Sequence, residues 1–399
     1  MTAPLPLTLL LCAVQMLAMT GSLTFQALIP VFIREWTLTN TEAAWIGGAS
    51  YVGYAIAAPI LVAATDRIDA RSIVLSACLV GGIGGIGFAL FAEGFWSAAG
   101  WRVLTGVAIA GSYMPGLKAL TDRLPEGRPG GRFPALYAAT FSLASATSLF
   151  LAGLLTSTFD WHAAFALTGL TAFTGAALVS LLPKRSPRPA STGGHALTRV
   201  GAVLRDRQTM RFILAYAGHS WEMFAFRTWI VAFLTFVAAR SGDGNLVLVG
   251  LAATALVVAG LPAGLLGNEL AERSGRRRAV ATLMLAAAAM AALMAFATDQ
   301  GFVLVACLAL VYGALVMADN SAILVGTIQS TPPERRGAAI AVQTFLAATM
   351  ALLSPLAIGG VLDAFGADAT AWGLAFGVMG LGAATGALAM LWPGERGTA

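Results

Sequence analysis

Apolar runs of about twenty residues, recurring from Leu5 to Trp392, constrain this chain more than any other feature. A hydrocarbon core of ~30 Å takes ~20 helical residues to cross, and in lipid every backbone N–H and C=O must be satisfied within a helix or a closed barrel. The runs are continuous and do not alternate, which selects helices. Twelve can be counted, at 7–33, 43–64, 72–93, 97–119, 133–156, 163–183, 210–238, 245–268, 279–298, 301–325, 338–360 and 371–392. The narrowest separation is Asp299-Gln300-Gly301, between spans nine and ten. With 58% hydrophobic and 11% charged residues the chain does not read as a soluble domain, and the expected fold class is an all-α membrane protein with twelve transmembrane helices.

Orientation follows from the basic residues, because Lys and Arg in short loops stay on the cytoplasmic side. Placing both termini inside puts 20 of the 24 Lys and Arg residues in cytoplasmic loops and tails, leaves Arg34 and Arg240 outside, and buries Arg102 and Arg227 within spans. The net charge of +5 comes from this asymmetry, so no nucleic-acid partner is expected. The lipid bilayer is the expected surrounding, with a bacterial inner membrane as the location. Residues 1–6 carry no basic charge and the first apolar run is long enough to span, so no cleavable signal peptide is expected. Cys12, Cys78 and Cys307 lie singly within spans and suggest neither a disulfide nor a metal site; no cofactor is expected.

The stretch from Lys184 to Arg207 is basic, rich in Pro, Ser and Gly, and without apolar periodicity. It reads as a cytoplasmic linker, 184–208, between a six-helix bundle at 1–183 and a second at 209–399. The halves repeat one another. Asp66, Arg67 and Arg71 recur 206 residues later as Glu272, Arg273 and Arg277, and Gly153 and Phe159 recur as Gly359 and Phe365 with the same displacement. A Pro-Glu-Gly-Arg sequence ending at Arg128 is echoed by Pro-Glu-Arg-Arg ending at Arg336. A parallel repeat of six spans is the plan of a transporter whose site lies between its halves.

At this point the sequence resembles the major facilitator superfamily, over essentially its whole length. The family's loop motif between spans two and three, roughly Gly-x-x-x-Asp-Arg-x-Gly-Arg-Arg, is matched by Asp66, Arg67 and Arg71 and departs at Val62, Asp69 and Ala70. The second copy matches at Glu272, Arg273, Gly275, Arg276 and Arg277, with Asn268 in place of the leading glycine. The family's Arg-x-x-x-Gly in span four is matched by Arg102 and Gly106. The resemblance implies that Asp66, Arg67, Arg71, Glu272, Arg273 and Arg277 act in gating, latching the inner helix ends. It also implies that spans one, four, seven and ten line the central path. The Gly-Pro-rich span-five motif of the superfamily's drug/proton antiporters is missing from 133–156.

A charge near the bilayer centre costs at least ~2.5–3.5 kcal/mol, so the ionisable residues inside spans need a reason to be there. They are Arg102 in span four, His219, Glu222 and Arg227 in span seven, and Asp319 in span ten. On an ideal helix His219 and Glu222 share a face, whereas Arg227 is ~140° round from Glu222 and ~7.5 Å further along. Glu222 and Arg227 are therefore not an automatic pair. Glu222, Asp319 and His219 are the candidates for proton coupling, with the role of His219 left open between proton transfer and neutral hydrogen bonding. Arg102 and Arg227 are permanent cations suited to an anion, since a guanidinium fork binds carboxylate-type groups bidentately. Gln26, Tyr113, Trp221 and Trp229 are candidates for the rest of the binding wall, with helix-to-helix hydrogen bonding as the alternative for Gln26 and packing or lipid contact as the alternative for the three aromatics. Arg102, close to the outer boundary, has the alternative of snorkelling to the interface.

The expected function is that of a secondary active transporter, a monomer moving a small anionic solute by alternating access with protons as the coupling ion. The alternative is proton-coupled efflux of hydrophobic or cationic drug-like compounds; a non-transporting membrane sensor ranks below both. No metal pair or Ser/His/Asp set points to an enzyme.

Overall fold

The computed structural model describes residues 4–124, 132–184, 200–242 and 246–392. Contacts divide the chain into two compact units, one of 1–192 with 245–258, the other of 193–244 with 259–399. Unit 1 contains α1 (Pro4–Met19), α2 (Thr24–Ala27), α3 (Ile29–Glu35), α4 (Asn40–Ala64), α5 (Ala70–Phe91), α6 (Phe95–Thr121), α7 (Arg132–Thr158) and α8 (Trp161–Ser180). Unit 2 contains α9 (Val200–Arg205), α10 (Arg207–Arg240), α12 (Arg276–Phe296), α13 (Phe302–Ala318), α14 (Asn320–Ser330), α15 (Arg336–Phe365) and α16 (Ala369–Leu391), and α11 (Leu246–Ser274) contributes residues to both. Among the described residues there is no strand. Among the described residues eleven helical segments, with α13 and α14 taken together, are long and apolar enough to cross a membrane, and α1 is a shorter apolar helix, consistent with a bundle of twelve. Most of the expected linker, 185–199, and most of the Pro-Glu-Gly-Arg loop, 125–131, lie outside the described residues.

The spans begin where the sequence supplies caps. Asp160 accepts from the Ala163 N–H to start α8, and Asp368 accepts from the Ala371 N–H to start α16, so the sixth span of each half opens with the same aspartate device. Inside unit 1 the glycines of span three let backbones meet. A side chain at Gly85 would stand 2.6 Å from the Gly169 nitrogen, which brings α5 and α8 together without intervening side chains.

Two spans depart from the expected continuous helix. Over 7–33 the helix stops at Met19 and resumes in two short pieces. Thr20-Gly21-Ser22 is a weak helical sequence, with glycine alone costing ~1 kcal/mol against alanine, and the Thr20 hydroxyl turns back to the Met16 carbonyl. The Leu23 N–H leaves the helical pattern and donates to Ser148 Oγ at 3.0 Å, so α7 stabilises the break. Span ten is interrupted at Asp319, the junction of α13 and α14.

Candidate functional site

Each break coincides with a buried charge. Arg102, on α6, is wholly buried and reaches the break in span one, which removes the alternative of a side chain snorkelling to the interface. Nη1 donates to the Gly21 carbonyl at 3.3 Å, and Nη2 donates to the Ser22 carbonyl at 3.4 Å, Gln26 Oε1 at 3.3 Å and Ser50 Oγ at 3.1 Å. The guanidinium thus takes up carbonyls that a continuous helix would have satisfied itself. Gly106, one turn along α6, allows this approach, because a Cβ there would collide with the Ser50 carbonyl oxygen. All four acceptors are neutral, and among the described residues no carboxylate lies within ion-pair distance of Arg102. Three buried donors around it, Arg102 Nε, Gln26 Nε2 and Ser22 Oγ, find no acceptor.

In unit 2, α10 and the span-ten helices form two buried rungs. His219 Nδ1 lies 2.7 Å from Asp319 Oδ1, near enough for an ion pair, although the ring is not aligned for a regular hydrogen bond and its Nε2 has no partner. Three residues along α10, Glu222 Oε1 accepts from the Tyr312 hydroxyl at 2.8 Å. His219, Glu222, Tyr312 and Asp319 are all buried to within 1%. The first rung sits at the helix break and the second two turns away on α13, where Tyr312 packs edge-on against Phe226 and Phe376. Arg227, the third charge in the middle of α10, has among its contacts Met317 Sδ at 3.6 Å from Nη2.

The aromatic candidates separate. Tyr113 is half-buried, stacks on Tyr137 and meets Phe141 edge-on. Trp221 donates its indole N–H to the Val378 carbonyl at 2.9 Å, and Trp229, fully buried, donates to the Pro355 carbonyl at 3.0 Å while packing against Trp372. Both tryptophans are engaged in fastening α10 to α15 and α16.

At the helix ends that carry the repeated charged motifs, the repeat is visible in contacts as well as sequence. Arg71 donates from Nε to the Val179 carbonyl at 3.2 Å and from Nη2 to the Ser180 carbonyl at 2.6 Å, closing the last turn of α8. Its counterpart Arg277 donates to the Met390 and Trp392 carbonyls at the end of α16. Asp69, a departure from the family motif, caps α5 and pairs with Arg123 at 3.2 Å. Arg67 is exposed and Asp66 half-buried. In the second copy Glu272 accepts from Asn268 Nδ2 at 2.9 Å and lies 3.8 Å from Arg276, while Arg273 pairs with Glu269.

Tyr312 and Ser50 escaped the sequence reading. Tyr312 had a signal, since it precedes Asp319 by seven residues, two helical turns on one face. Ser50 had none in its own span.

The sequence model of the Major Facilitator Superfamily matches residues 11–247, more than half of the chain. The chain belongs to the major facilitator superfamily. This is a superfamily of membrane transporters and not of enzymes, and it makes the chain a multi-pass membrane protein. As a superfamily member it is 22% identical over 168 residues to the niacin transporter NiaP of Acinetobacter baylyi, a match covering 42% of this chain and 37% of that protein. It is 25% identical over 198 residues to the benzoate transport protein of the same organism, covering 47% and 38% respectively. The chain therefore spans under two fifths of the length of either relative. A solved bacterial homolog of the human lysosomal transporter Spinster superposes over 97% of both chains with a TM-score of 0.79 at 15% identity, a likeness of fold.

Proposed function

We propose that this superfamily member is a secondary active transporter moving a small anionic solute, a monocarboxylate, by alternating access with proton coupling. One observation carries the anion: a fully buried guanidinium balanced by four neutral acceptors, with three unspent donors around it. An unpaired buried charge is costly and calls for a counter-ion, and one cation suits one carboxylate. The relatives support the same class, for niacin and benzoate are each a carboxylic acid on an aromatic ring. In this reading Arg102 and Gln26 hold the carboxylate, with Arg227 and Tyr113 as further solute contacts, and Trp221 and Trp229 shape α10 behind them. Glu222, Asp319 and His219 form the proton-coupling group, and Asp66, Arg67, Glu272 and Arg273 form the inner latch that Arg71 and Arg277 hold in place. The protein works as a monomer in a bacterial inner membrane, both termini cytoplasmic.

The test is uptake of labelled benzoate or nicotinate into proteoliposomes under an imposed pH gradient. Arg102→Gln should reduce uptake efficiency by about 10- to 100-fold, the worth of one or two charge-assisted hydrogen bonds. Uptake by the variant equal to that of the parent would exclude this site, and accumulation of cationic drug-like compounds in place of carboxylates would favour efflux.

A further inference from the structure

The two rungs of unit 2 are not equivalent, and their difference assigns the proton. The inference rests on the proton-coupled reading above. His219 and Asp319 are a base and an acid 2.7 Å apart, so the pair can stand as an ion pair or as a neutral pair without net charge. Glu222 faces a hydroxyl. Its carboxylate form is a buried anion beside a neutral group, whereas its acid form is neutral, so gaining or losing the proton changes the net charge of the rung.

The surroundings make that contrast sharp. Besides the four rung residues, α10 brings Tyr216, which stacks on His219 at 5.6 Å, and Arg227, turned toward Met317. The other charged residues of α10, namely Arg207, Arg211 and Arg240, lie near its ends. The neighbouring elements carry theirs at their ends too: Arg205 on α9; Glu269, Glu272 and Arg273 on α11; Arg276, Arg277 and Arg278 on α12; Arg336 and Asp363 on α15. Helices α14 and α16 have no charged residue, and Cys307 on α13 is exposed.

We propose that the Glu222–Tyr312 rung exchanges the coupling proton, that Tyr312 is a positioning residue holding Glu222 in both protonation states, and that His219–Asp319 is a clasp across the break between α13 and α14. A phenol suits the positioning role because it has one donor and two lone pairs, so it donates to the carboxylate and accepts from the acid without moving. Phe226 and Phe376 fix its ring from two sides.

Infrared difference spectroscopy of the purified full-length protein in lipid nanodiscs, titrated with pH, reads the rung without any transport assay. The parent should show a carboxylic C=O band that titrates, Glu222→Gln should remove it, and Asp319→Asn should leave it. Tyr312→Phe keeps the ring and deletes the hydroxyl, and should displace both the band frequency and its midpoint, the latter by about one pH unit. Loss of the band in Asp319→Asn and its survival in Glu222→Gln would transfer the proton to the clasp and overturn the proposal. A Tyr312→Phe spectrum identical to the parent's would remove Tyr312 from the positioning role. Should Asp319→Asn fail to fold, His219→Gln tests the same rung from its other side. A titrating Glu222 band in a protein that moves no carboxylate would sink the monocarboxylate reading and leave this assignment standing.

Discussion

At the scale of single residues, the site depends on places where a side chain is missing as much as on those where one is charged. Gly106 lets α4 and α6 approach until Ser50 reaches Arg102, and a Cβ there would meet the Ser50 carbonyl. Gly106→Ala should therefore lower stability by about 1–3 kcal/mol, the usual cost of overpacking, seen as a fall in thermal midpoint of the purified protein. Gly100, on the same helix, has nothing within 4 Å of where a Cβ would stand, so Gly100→Ala should leave the midpoint unchanged or raise it. Equal midpoints for the two variants would show that the α4–α6 contact does not constrain the fold. Residue type made Arg102, His219, Glu222 and Asp319 stand out in the sequence, because charge at membrane depth is conspicuous. Ser50 and Tyr312 did not stand out, since hydroxyls inside spans are ordinary; only the helices that face them give them a partner.

At the scale of elements, helix length was legible and helix continuity was not. Apolar length alone located the spans within a few residues, with α4 at Asn40–Ala64 against an expected 43–64. The interruption after Met19 depends on Ser148 of α7 and Arg102 of α6 taking the freed backbone groups, partners far away in sequence. The same scale recasts Arg71 and Arg277. Within their own units both are C-terminal caps, each donating to two carbonyls of a sixth span. Arg71→Gln should destabilise the protein by about 1.5–3 kcal/mol, because hydrogen bonds from a charged donor are lost at once. Arg71→Lys should recover only part of this, since an ammonium lacks the guanidinium fork. Arg67→Gln, at an exposed position, should be neutral in the same thermal assay. A strong thermal effect at Arg67 together with none at Arg71 would reverse these roles.

At the scale of the whole molecule, the duplicated halves keep the same framework and differ in where they are broken. Unit 1 is interrupted in its first span and answered by an arginine from its fourth; unit 2 is interrupted in its fourth span and answered by a histidine from its first. This exchange between spans fits a division of labour, with the fixed cation in one half and the exchangeable proton in the other. The proposed topology, with both termini cytoplasmic, puts the basic loops on the inner side. Thiol labelling checks it. In intact cells a membrane-impermeant maleimide should label Thr37→Cys, in the turn between α3 and α4, and should label Ser274→Cys, at the end of α11, only after lysis. Cys12 and Cys78 are buried and give little background, and replacing the exposed Cys307 by serine removes the remaining one. Labelling of Ser274→Cys from outside would invert the topology, and with it the side on which Arg71 and Arg277 close their helices.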